Sequence, residues 1–88
     1  MTTAERIKQI VARHPDIKVN VATLKDDTHF RDHLGADDLV RLDLSMEIEE
    51  EFSILFDPDS FEFNTVGELI QVVGRKLEDK LPRVVRVA

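Results

Sequence analysis

Residues 32–52 read DHLGADDLVRLDLSMEIEEEF, and this stretch decides the fold. After Gly35 and Ala36, Asp37 and Asp38 suit the cap and first turn of a helix, where carboxylates meet free amide hydrogens and the positive end of the helix dipole. The spacing predicts a helix from about residue 38 to 52. At about 100° per residue, Leu39, Leu42 and Met46 make one apolar stripe. Val40, Leu44, Ile48 and Phe52 make another, roughly opposite, and Asp43, Glu47 and Glu50 form an acidic strip between them. Such a helix can bury one stripe and offer part of the other to a partner, or it can bury both by sitting centrally. Periodicity does not separate the two arrangements.

Outward from this stretch, the helical signals continue in both directions. Thr2 and Glu5 have the spacing of a capping box, and Ala4, Ile7, Ile10, Val11 and His14 recur at helical spacing until Pro15. A first helix over residues 3–14 follows. Ile17, Val19 and Val21 alternate with polar residues as a strand would, but no second strand signal exists to pair with them. Residues 15–36 therefore read as a long connection anchored by Leu24, Phe30 and Leu34. Beyond residue 52 the pattern is irregular, with Asp57, Pro58 and Asp59 able to open a short third helix ending near Phe63. Asn64 or Thr65 caps the last helix, and Thr65 with Glu68 repeats the capping-box spacing. Val66, Leu69, Ile70, Val73, Leu77 and Leu81 give its apolar face up to Pro82. The expected architecture is all-α, a small four-helix bundle over residues 1–82 with a basic, apolar tail at 83–88.

The chain has 88 residues, enough for one domain with a small core. With 42% hydrophobic and 34% charged residues it reads as globular. No cysteine is present, which excludes disulfides, thiol catalysis and cysteine-ligated metals. A net charge of −6 and the absence of Trp and Tyr argue against nucleic acid as a partner. No apolar run approaches the length of a membrane span, and the charged start MTTAERIKQI does not suit a secretory signal, so the cytoplasm is the expected location. The acids are unevenly spread: residues 32–68 hold twelve of the eighteen, with Arg41 as the single base. This is either a solvated face or a docking surface for basic partners.

Catalytic and metal chemistry finds little support. His29 and His33 lie four apart near Asp32 and Asp37, but no further strong ligand falls at a fixed spacing, so loop packing is the expected role. Asp57, Asp59 and Glu68 match three positions of a calcium loop, yet Glu62 stands where a glycine must turn the chain. Ser45, Ser53 and Ser60 have no histidine placed to serve them. No enzyme activity and no metal are expected.

Residues 32–52 resemble the signature of acyl carrier proteins: an aspartate, one residue, Leu-Gly, a small residue, Asp-Ser-Leu, then an acidic amphipathic helix ending in Glu-Glu-Phe. Asp32, Leu34, Gly35, Asp37, Leu39, Asp43, Met46, Glu49, Glu50, Glu51 and Phe52 match. The order of elements agrees over about residues 3–80. The resemblance implies fold, partners and cofactor together. It also exposes a departure, because Asp38 stands where the family has the serine that carries 4′-phosphopantetheine. A carboxylate offers no equivalent stable linkage, and Val40 and Arg41 also differ from the residues often found after that serine. Asp38 then serves either to cap the helix, worth about 0.3–1 kcal/mol, or to imitate the phosphate of modified family members.

On this resemblance the chain is expected to be a non-covalent docking module of fatty acid, lipid or polyketide biosynthesis, a monomer with no cofactor of its own. The basic surfaces of pathway enzymes would meet Leu39, Leu42 and Met46 as apolar contacts and Asp37, Asp43, Glu47, Glu49 and Glu50 as charge. One alternative is a conventional 4′-phosphopantetheine-dependent acyl shuttle seen as a serine-substituted variant. Another is a structural subunit of a larger complex.

Overall fold

In the computed structural model, residues 2–56 and 63–80 are described. They form four α-helices and one 3-10 turn, with no strand among the described residues. Helix α1 spans Thr3–Arg13, the 3-10 turn Val21–Thr23, α2 Phe30–Leu34, α3 Asp38–Phe52 and α4 Val66–Lys80. The all-α expectation holds. Residues 57–62, where the third helix ending near Phe63 was expected, and the tail at 83–88 lie outside the described residues.

Local chemistry fixes the helix ends. At α1 the Thr2 hydroxyl accepts from the Glu5 amide at 3.1 Å, and the Glu5 carboxylate accepts from the Thr2 amide at 2.8 Å. That contact holds the Glu5 carboxyl below the usual carboxylate range, the backbone hydrogen bond being the main cause. Thr65 and Glu68 repeat the arrangement at α4. Both boxes satisfy amides that the first helical turn leaves without partners.

The core gathers the expected apolar faces. Ile7, Ile10 and Val11 of α1, Leu44 and Ile48 of α3, and Val66, Leu69 and Val73 of α4 are buried together. Each such side chain contributes about 1.5–3 kcal/mol by leaving water. Helix α1 packs on both α3 and α4. Phe30 and Phe63 meet edge to face in the interior, with ring centroids 5.3 Å apart.

The connection between α1 and α3 is more ordered than its sequence suggests. Asn20 caps the 3-10 turn, its side chain accepting from the Ala22 amide at 2.9 Å. Helix α2, read from sequence as part of a loop, is a single short turn closed at both ends. His29 Nδ1 accepts from the Asp32 amide at its start. At its end Gly35 adopts φ +64°, and the Ala36 amide reaches back to the Phe30 carbonyl at 2.8 Å.

Backbone hydrogen bonds then fasten this connection to the start of α4. The Gly67 amide donates to the Asp26 carbonyl at 2.8 Å, Val66 to Thr28 at 2.9 Å, and Phe30 to the Asn64 carbonyl at 2.9 Å. A Cβ at residue 67 would stand 2.8 Å from the Asp26 oxygen, so glycine permits the approach.

Candidate functional site

Helix α3 begins and ends where its sequence predicts, and the fold resolves its two stripes. Val40, Leu44, Ile48 and Phe52 face the core. Leu39, Leu42 and Met46 face solvent, at 75%, 44% and 56% exposure, and Leu55 just beyond the helix is 79% exposed. Side chains of one chemical kind thus lie buried on one face and stand in water on the other.

At the N-terminus of α3, the Asp37 side chain accepts from the Val40 amide at 3.0 Å and serves as the cap. Asp38 occupies the first turn with its carboxylate exposed, ion-paired with Arg41 and 3.6 Å from Arg31. The Arg41 hydrogen bond, then the Arg41 charge, hold the Asp38 carboxyl below the usual carboxylate range, with Arg31 adding to the effect. Arg41 also donates to the Phe63 carbonyl at 3.0 Å and to Asn64 Oδ1 at 3.4 Å. Its guanidinium therefore ties the start of α3 to the segment entering α4.

No serine of the described residues takes a comparable place. Ser45 is fully buried, and its hydroxyl donates to the Arg41 carbonyl at 2.8 Å. Ser53 caps the opposite end of α3 with φ +55°.

The acids singled out from sequence divide by what they touch. Asp43 lies 3.6 Å from Nε2 of the buried His14, and Glu47 lies 3.5 Å from Arg13. Glu51 pairs with Arg6, whose guanidinium also stacks 4.6 Å over the Phe52 ring. Asp43, Glu47 and Glu51 are spaced four apart and form one edge of α3, turned toward α1. Glu49 accepts from the Phe56 amide at 2.7 Å and holds the chain leaving the helix. Glu50 alone of the acids expected at a docking face has no partner among the described residues, and it shares the outward surface with Met46.

The histidines weighed as metal ligands cap α2 instead. His33 Nδ1 accepts from the His29 amide at 2.7 Å, while His29 Nδ1 takes the Asp32 amide. Among the described residues no group of three or more His, Asp or Glu could hold a metal ion. No helix of the described residues is long and apolar enough to cross a membrane.

Compared with known proteins, residues 5–73 match the family described as phosphopantetheine attachment site. Among solved structures, the crystal structure of an acyl carrier protein from Thermotoga maritima is similar at 25% sequence identity and a TM-score of 0.75. The match covers 86% of this chain and 87% of that one.

Proposed function

The chain belongs to the phosphopantetheine attachment site family, and from that premise we propose that it is an acyl-carrier-like docking module working without a covalent prosthetic group. Family members are carriers rather than enzymes, and this chain has their fold. The observation that carries the reading is the α3 N-terminus. Attachment of 4′-phosphopantetheine needs an accessible hydroxyl there, and the exposed group in that turn is the Asp38 carboxylate. Ser45, the next hydroxyl along α3, is sealed in the core by its bond to the Arg41 carbonyl. The residues of this turn therefore do not fit covalent attachment. The exposed stripe of Leu39, Leu42 and Met46 is the surface through which enzymes of fatty acid, lipid or polyketide synthesis would be met.

The test is the intact mass of the chain after incubation with coenzyme A and a broad-specificity phosphopantetheinyl transferase, with Asp38→Ser alongside. The parent keeps its mass. A gain of one phosphopantetheine on the parent overturns the reading. A gain on Asp38→Ser alone shows a recognition surface that lacks only the attachment atom, which is the substituted-carrier alternative.

A further inference from the structure

The chain has three histidines, and two of them close the same five-residue helix. His29 is the N-cap of α2, its Nδ1 accepting from the Asp32 amide at 3.3 Å. His33, one turn on, returns the arrangement, its Nδ1 accepting from the His29 amide at 2.7 Å. The pair forms a reciprocal cap like the boxes of α1 and α4, with imidazole rings in place of hydroxyl and carboxylate. A helix this short makes few hydrogen bonds of its own, so its closure rests heavily on these two contacts. His14, the third, faces the Asp16 amide and Asp43.

Imidazole differs from the usual capping groups in one respect. Neutral, it has one ring nitrogen that accepts; protonated, both nitrogens donate. An amide hydrogen and a proton therefore compete for the same Nδ1 at each residue. Histidine is also the side chain that ordinarily changes charge between about pH 5 and 8. The His29 side chain is 34% exposed and His33 lies at the surface, so water reaches both. Their ring centroids are 6.5 Å apart, close enough for two imidazolium charges to repel.

The charged groups around this turn have settled places. Among the described residues Asp32 is the only carboxylate within 4 Å of either ring's nitrogens, 3.8 Å from His29 Nδ1. Arg31 of α2 reaches Asp38 of α3 at 3.6 Å, and Asp37 caps α3. At the entrance to α4, Glu68 accepts from the Asn64 and Thr65 amides. In the connection, Asp26 lies 3.8 Å from Lys8. A proton on His29 thus has the Asp32 carboxylate to turn to, at the loss of the Asp32 amide, while His33 has no carboxylate at hand.

We propose that α2 is a pH-sensitive turn, closed while His29 and His33 each accept a backbone amide at Nδ1 and opened when those atoms take protons. The opening is local. Phe30 stays anchored by its buried ring and by its amide bond to the Asn64 carbonyl at 2.9 Å. The helix end gives way instead, where Gly35 and Ala36 reach back to the Arg31 and Phe30 carbonyls at 3.2 and 2.8 Å. Arg31 then leaves Asp38, and the first turn of α3 keeps Arg41 as its ion-pair partner.

The test is nuclear magnetic resonance of the full chain, labelled with nitrogen-15 and carbon-13, between about pH 8 and 5. At the upper end, imidazole nitrogen shifts are expected to show both Nδ1 atoms free of protons. Toward the lower end, the Cα shifts of Phe30–Leu34 move from helical to coil values together with the two rings, while those of α1 and α4 hold. The ratio of open to closed turn rises about tenfold or more, since two caps are lost. A chain with both His29→Ser and His33→Gln keeps a neutral acceptor at each place and holds α2 closed throughout. A proton on either Nδ1 at pH 8 overturns the switch. So does a parent whose Phe30–Leu34 shifts stay helical after both rings have charged, or a double variant that opens in acid as the parent does.

Discussion

The two faces of α3 carry nearly the same side chains and lead opposite lives. Inward, Leu44 and Ile48 are fully buried; outward, Leu39 and Met46 stand mostly in water. Residue type does not set the difference. What sets it is the packing of α1 on one side of α3, which leaves the other side open. On a helix with two apolar stripes, what packs on it decides which stripe is buried.

That contrast can be broken most sharply in the core. Leu44→Ala leaves a cavity and is expected to cost about 2–5 kcal/mol, whereas Leu39→Ala on the outer face stays within about 0.5 kcal/mol. Urea unfolding of both measures the difference, and equal losses would mean the outer stripe is covered as well. Removing the cap acts on both faces at once, because it loosens the first turn. Asp37→Ala is expected to lower stability by about 1 kcal/mol in the same assay.

At the edge facing α1, Glu47→Gln removes an exposed ion pair with Arg13 and is expected to change stability by less than about 1 kcal/mol, a change that high salt erases. The subtlest expected effect is on pH. The Asp38 carboxyl is held below its ordinary value of 3.8 by Arg41, so the unfolded chain binds the proton more readily in that window. Its contribution is present above the ordinary value and is lost as pH falls through the folded one. Thermal midpoints followed into acid should therefore drop less steeply for Asp38→Asn than for the parent.

Much of this was legible in the residues themselves. The limits of α3, both capping boxes and the core face of α4 follow from spacing and from the hydroxyl and carboxyl groups that close helix ends. Helix α2 was not legible, because five residues carry too little periodicity and histidines supply its cap. Gly35 after Leu34 was the one local sign of its end. The division of the acids was hidden for a different reason. Asp43, Glu47 and Glu50 look alike along the helix, and only the placement of α1, with Arg13 at its end and His14 just after it, separates the first two from Glu50, which has no partner among the described residues.

The backbone fastening between residues 26–30 and 64–67 also has a consequence for how the chain is made. Synthesis proceeds from the N-terminus, so α1, α2 and α3 leave the ribosome while the Asp26 and Thr28 carbonyls and the Phe30 amide still lack their partners. Those partners sit at Asn64, Val66 and Gly67, at the entrance to the last helix, and such distant pairings form late because a long loop must close first. The nascent chain therefore holds its first connection open until residues 64–67 have been made, and a truncation before Asn64 leaves the Asp26 and Thr28 carbonyls and the Phe30 amide without these backbone partners.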